Sequence, residues 1–391
     1  MLIGSCYGQF CATSVWWQLG GWVLRWWSSV NRWGPGGHIP LRRGLVSRAR
    51  GSSTGGGRGR WEKVAWAGEL IRGCRSVRGV ARGRFRDHSD DRWTRRRGAG
   101  DLPLRLRIAP WCMPGIDMDG LDHLVELQRR DGRHRAVGGV KFFIDGTVEG
   151  GTAWLEHPDC HGQGTAAFWP DTAEFGRAVG HLDRAGVQTA THAIGDAGVR
   201  HVLDTVEALG TAWMRHRVEH IETVPDGQLG RFAALGVAAS MQPSHTAYTR
   251  ADHGDEWSRR LGPERAERAW RCRDLREAGA TLALGSDWPI AHYDPRQVIG
   301  AARLRRLPGE TGAAPVQPGQ ALTGLMALEG YTSHAARAAG EEAVAGRIAP
   351  GCRADLTAFG LDPVLAPADE FAEAEVRLTM VGGRVVHRGG E

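Results

Sequence analysis

Val140-Lys141-Phe142-Phe143-Ile144-Asp145-Gly146 reads as a short apolar strand that carries a lysine. Lys141 is the only lysine after position 63, in a chain that otherwise uses arginine for positive charge. A guanidinium stays charged, whereas an amine can lose its proton and react. The lysine therefore points to chemistry rather than to solvation. Four downstream segments repeat the pattern. They are Thr191-His192-Ala193-Ile194-Gly195-Asp196, Arg217-Val218-Glu219-His220, Met241-Gln242-Pro243-Ser244-His245 and Gly285-Ser286-Asp287-Trp288-Pro289. Each closes a short apolar run on a polar, ligand-type residue. Any one of them is an ordinary strand end; Lys, His, His and Asp ending successive strands form a set.

Between these segments strands and helices alternate. Apolar runs predict strands over 104–109, 136–143, 187–190, 217–221, 237–241 and 281–284. Helical spacing predicts helices over 117–130, with Asp119 as cap, and over 171–185, 197–209, 225–235, 263–278, 318–331 and 333–339. Regular alternation calls for parallel strands joined by helices. The fold class expected is α/β, a (β/α)8 TIM-type barrel with strands four to eight readable and the front incomplete. Such a barrel places its working residues at the C-terminal strand ends, where Lys141, His192, His220, His245 and Asp287 all fall. The rival is a doubly wound open sheet, but no G-x-G-x-x-G or Walker loop occurs.

The flanks differ in texture. Residues 346–391 hold three short strands, the last two joined at Gly382-Gly383 as a hairpin. They read as a small C-terminal β-sandwich segment after a barrel portion at 101–345. Residues 1–100 carry 18 Arg and one Lys against five acids, so +14 of charge sits there and −8 remains for the rest of a chain of net +6. This Arg/Gly/Trp-rich segment shows no sustained apolar period. It reads as disordered or as no evolved fold, the composition that GC-rich coding DNA gives in a wrong frame. A nucleic-acid arm, with Arg on phosphate and Trp on bases, is the less favoured reading. No apolar run reaches membrane-spanning length. The seven cysteines are scattered with no C-x-x-C, so a reducing cytoplasm is the default location.

Neutral imidazoles bind borderline metals such as zinc, and a carboxylate can bind metal or take a proton from metal-bound water. A lysine ammonium has no free lone pair and becomes a ligand only after deprotonation and modification. Taken in order, Val140 to Gly146, Thr191 to Asp196, Arg217 to His220, Met241-Gln242-Pro243, Leu284 to Pro289 and the tail Gly346 to Gly351 with Ala354-Asp355-Leu356 resemble the metal-dependent amidohydrolase superfamily, family 3 branch. The resemblance runs from about residue 101 to the end. It implies that Lys141, as its carbamate, bridges two metals, that His192 and His220 bind the second, and that Asp287 binds the first. Asp287 would also be the general base on a water that attacks a non-peptide C–N bond. It further implies one or two divalent ions, expected to be zinc, and a small amide-like substrate. The chain departs from the family in one respect: it contains no His-x-His, the first-strand ligand pair. The alternative function is therefore an impaired or inactive remnant of such an enzyme.

Other residues carry weaker signals. His245 and Trp288 are candidate substrate contacts. His216 and His220 flank Glu219, but in the wrong order and on a strand, which excludes a zincin helix. Asp145 and Asp196 either orient neighbours or cap helices. His157, Asp159, Cys160 and His161 read as a solvated loop.

Overall fold

The computed structural model describes residues 2–4, 104–132 and 134–390. The chain divides into two units, residues 1–13 with 97–391 and residues 14–96, and every described residue lies in the first. The reading of residues 1–100 thus lies outside the described residues, apart from 2–4. In chain order the strands are β1 (Leu2–Gly4), β2 (Leu106–Ile108), β3 (Asp131–Gly132), β4 (Arg135–Val137), β5 (Val140–Phe143), β6 (Thr189–Ala193), β7 (Arg217–His220), β8 (Ala238–Met241), β9 (Leu282–Leu284), β10 (Leu356–Phe359), β11 (Val376–Val381) and β12 (Arg384–Arg388).

β5 to β9 form one parallel sheet in sequence order. Helices Thr172–Arg184, Asp196–Leu209 and Asp226–Ala234 make the crossovers between β5 and β8. These are the expected strands four to eight. The sheet continues one place further on the β5 side, where Trp111 bridges Lys141 in parallel. The Cys112 amide donates to the Lys141 carbonyl there at 2.8 Å. β5 is buried on both faces, as strands of covered parallel sheets are. Val140, Phe142 and Ile144 are fully enclosed. The Phe142 ring meets Phe175 edge-on at 5.4 Å and Trp169 at 5.9 Å. That period of two leaves Lys141 and Phe143 for the opposite face, where the Lys141 Nζ lies 5.2 Å from the Phe143 ring centroid.

Several boundaries differ from expectation. The run 136–143 is two strands, because the chain breaks at Gly138-Gly139. Gly139 has φ +103°, and a Cβ there would meet the Gln188 carbonyl at 2.8 Å. The first helix, Met118–Leu127, is capped by Asp117 rather than Asp119; the Asp117 carboxylate accepts from the Gly120 amide. The run 263–278 is two short helices, Pro263–Ala266 and Cys272–Glu277, divided at Trp270 with φ +43°. Only the 3₁₀ turn Pro318–Gln320 and the helix Gly324–Tyr331 occupy 318–331. Two helices unmarked in the sequence reading, Glu256–Leu261 and Pro295–Leu304, complete the described wall.

The tail forms an antiparallel sheet of order β1-β10-β11-β12. β1, from the first residues of the chain, supplies a strand that the C-terminal three lack. Arg105 ties this sheet to the barrel side through Asp355 at 2.9 Å. No helix among the described residues is long and apolar enough to cross a membrane.

Candidate metal centre

The C-terminal ends of β5 to β9 gather the polar set. Lys141 lies within β5, and His192 lies within β6, opposite Phe143 in the register. His220 closes β7, His245 sits in the 3₁₀ turn Pro243–Tyr248 after β8, and Asp287 follows β9. All five are buried or nearly so. The His192 and His220 rings stand 4.5 Å apart, and those of His220 and His245 stack at 6.1 Å. His245 Nε2 is 3.9 Å from Asp287 Oδ2.

The backbone is bent to make this arrangement. His220 (φ +78°), Ile221 (φ +51°) and Asp287 (φ +55°) all occupy the left-handed region. Each such non-glycine residue costs on the order of 1–3 kcal/mol, and such strain concentrates at functional sites. At the end of β7 the turn is held by the Ile221 amide donating to the Ala193 carbonyl at 3.0 Å.

One ligand atom from each of His220, His245 and Asp287 lies within 4.8 Å of the others. His245 Nε2 is enclosed and has no hydrogen-bond partner. A buried polar atom left unpaired is expensive, so this nitrogen calls for a partner that the described protein atoms do not supply. Burial, then the charge of Lys141, holds the His192 pKa down to about 3. Burial pushes His245 down to about 4 and, with the charges of His192 and Lys141, places His220 well below its ordinary value. Neutral imidazoles are what a metal requires. Two His and one Asp leave an open position on a tetrahedral ion such as zinc, the pattern of catalytic rather than structural sites. The residues present therefore fit a divalent metal.

His192 stands outside that group of three, its ring 4.5 Å from that of His220. Its Nε2 contacts the Gly146 carbonyl at 2.9 Å and lies 3.5 Å from Asp145. Asp145 is enclosed and accepts from the amides of Trp154, Ile194 and Gly195 at 2.8–3.2 Å. Burial raises its carboxyl to about 7 against the pull of those amides. Asp145 thus ties the ends of β5 and β6 together. Asp196 opens a helix and also accepts from the Glu156 amide at 2.8 Å, tying down the loop after β5. Trp288 is half-buried beside Asp287, its amide donating to Ser286 Oγ at 3.2 Å. His216 lies at the other end of β7, bonded to Thr189 and Asp183 as a core histidine. Asp159 accepts from its own loop amides and from Arg260. Two acids unmarked in the sequence reading are Glu149 and Glu222; burial, with the charges of Glu149, Asp145 and Asp287, raises the Glu222 carboxyl well above its ordinary value. Glu222 stands two residues after His220, a spacing that could have flagged it.

The family model described as the amidohydrolase family (Amidohydro_3) matches residues 69–387. The chain belongs to the amidohydrolase family. The match begins before residue 101, where the change of texture had placed the start of the resemblance. Among curated relatives, N-substituted formamide deformylase of Arthrobacter pascens is 28% identical over 311 residues, 75% of this chain and 54% of that protein. Protein LONG AFTER FAR-RED 3 of Arabidopsis thaliana is 32% identical over 264 residues, 64% of this chain and 43% of that protein. A metal-dependent hydrolase of Pyrococcus horikoshii shares the fold at a TM-score of 0.56 and 29% identity, over 67% of this chain and 52% of that structure. The chain spans about half the length of the relatives it matches. Its parallel sheet is part of a TIM-type barrel.

Proposed function

We propose that the chain hydrolyses a non-peptide C–N bond of a small amide-like substrate, with one divalent ion, expected to be zinc, on His220, His245 and Asp287. The observation that carries this reading is the enclosed, unpartnered His245 Nε2 facing Asp287 across 3.9 Å. When bound, such an ion supplies a Lewis acid and lowers the pKa of water. Asp287 then serves as general base for the attacking water and returns the proton to the leaving nitrogen. His192 and Lys141, the latter as its carbamate, extend the ligand set on the β5–β6 side. Trp288 shapes the rim over the substrate. The described cysteines are free, which supports a reducing, cytoplasmic setting.

The rival reading, an impaired remnant, draws on the missing His-x-His. One assay separates them. An N-substituted formamide, the class named for one relative, is incubated with the purified chain and zinc. The proposal expects release of amine that a chelator stops, that zinc restores and that Asp287→Asn slows by about 10²–10⁴-fold. No hydrolysis of formamides or simple amides at saturating zinc overturns it in favour of the remnant.

A further inference from the structure

Tyr248 ends the 3₁₀ turn that carries His245, and its ring meets the His245 imidazole edge-on with centroids 5.7 Å apart. The Tyr248 hydroxyl donates to the Ile290 carbonyl at 2.9 Å. Ile290 in turn closes the chain reversal after β9, its amide donating to the Asp287 carbonyl at 2.8 Å. One tyrosine therefore links the turn that offers His245 to the turn that offers Asp287. Burial along this path is graded. His245 is 4% and Asp287 7% exposed, whereas Tyr248 is 50% and Ile290 49% exposed. Tyr248 and Ile290 are thus the solvent side of the two turns whose inner residues are the candidate ligands.

What this pair presents is apolar. The Tyr248 hydroxyl is spent on the Ile290 carbonyl, which leaves the tyrosine ring and the branched Ile290 chain to face water. Trp288 and Pro289, between Asp287 and Ile290, add a half-buried indole and an exposed ring. The segments 243–249 and 288–291 carry no Lys, Arg, Asp or Glu, so they offer nothing to a charged substituent. Exposed apolar side chains scattered singly are ordinary, whereas a contiguous apolar patch marks a binding surface. The bond between Tyr248 and Ile290 makes this pair contiguous. An aromatic ring is best matched by another ring, offset or edge-on.

We propose that Tyr248, with Ile290, determines specificity: its ring seats an aryl group on the substrate, beside the amide-like bond that is held at His245 and Asp287. The substrate class is then an aryl-bearing amide, in preference to a short aliphatic or charged one. The proposal rests on the reading of this rim as an amide-hydrolysing site.

The test is binding of acetanilide and of acetamide to the full chain with zinc present, titrated by saturation-transfer NMR. The same spectra record any cleavage of acetanilide as release of aniline. Acetanilide is expected to bind at least about tenfold tighter than acetamide. Tyr248→Ala is expected to remove most of that difference. Tyr248→Phe keeps the ring and is expected to hold the difference to within about threefold. A side chain that merely props His245 would change both ligands alike, so the ratio of affinities is the readout. Should Tyr248→Ala fail to fold by circular dichroism, Ile290→Ala decides: a reduced ratio supports the proposal and an unchanged one overturns it. Equal affinity in the unaltered chain, no saturation transfer to the acetanilide ring, a ratio untouched by Tyr248→Ala, or one lost in Tyr248→Phe overturns it directly. Binding and cleavage are read separately, so the two readings fail separately. A chain that shows the ratio but never cleaves an amide loses the hydrolase reading. A hydrolase with no preference for an aryl group loses this one.

Discussion

Asp287 sits at φ +55°, a conformation that Asn adopts more readily than most residues. Asp287→Asn therefore keeps the backbone and removes the base, the charge and the carboxylate offered to an ion. The expected result is a kcat lowered by about 10²–10⁴-fold with an unchanged melting temperature. Steady-state kinetics beside a thermal melt checks it; an equal loss of stability would assign Asp287 to the scaffold instead. Asp145 is the converse case. Its carboxylate accepts from three amides, those of Ile194 and Gly195 buried and that of Trp154 partly so. Asp145→Ala leaves those donors unpaired, at about 1–3 kcal/mol for each. Asp145→Asn keeps an acceptor oxygen and is expected to lose much less. Denaturant unfolding of the two variants separates a structural tie from a merely local contact.

At the scale of the element, the loop after β5 lies against the turn after β6. Gly195 is the point of closest approach: a Cβ there would stand 2.1 Å from the Trp154 carbonyl. Gly195→Ala must push the loop outward, and overpacking of this kind costs about 1–3 kcal/mol. The melt is expected to fall, and Trp154, which packs on His201 with centroids 5.2 Å apart, is expected to report the shift in its fluorescence. A melt equal to that of the unaltered chain would show that the loop moves freely. These elements were largely legible beforehand. β5 to β9 stand out because each is a short apolar run between amphipathic helices, and their order fixes which ends share a rim. What was not legible depends on backbone geometry and long-range contact. The break at Gly138-Gly139 needs the Gln188 carbonyl, more than forty residues away, to explain it. The division of 263–278 at Trp270 follows from the turn after β7, where the Trp270 amide is spent on the Glu222 carbonyl. Helical spacing alone carries no trace of that. Glu222 could have been flagged by its place two residues after His220, but its bond to Trp257, 35 residues on, could not. His245 was readable as a polar strand end, but its place among the ligand atoms depends on the 3₁₀ turn that carries it.

For the molecule as a whole, buried neutral histidines set an acid limit. Burial holds His192 to about 3 and His245 to about 4, and burial with the Arg276 charge holds His334 to about 4, against an ordinary value of 6.5. Between pH 6.5 and about 4 the unfolded chain binds protons that the folded chain refuses, so stability rises with pH across that window. The contribution is fully present above pH 6.5 and is lost as the pH falls toward 4. Thermal melts at half-unit pH steps are expected to show that decline; a flat profile would mean that these imidazoles reach solvent. The same histidines must be neutral to hold an ion, which links stability to metal. The most direct test is therefore the metal content of the full chain after equilibration with micromolar zinc and gel filtration. The account predicts about one ion per chain, lost from the His220→Ala/His245→Ala double variant while its helical circular dichroism persists. A chain that retains no ion, or a double variant that keeps the same ratio as the unaltered protein, would contradict it.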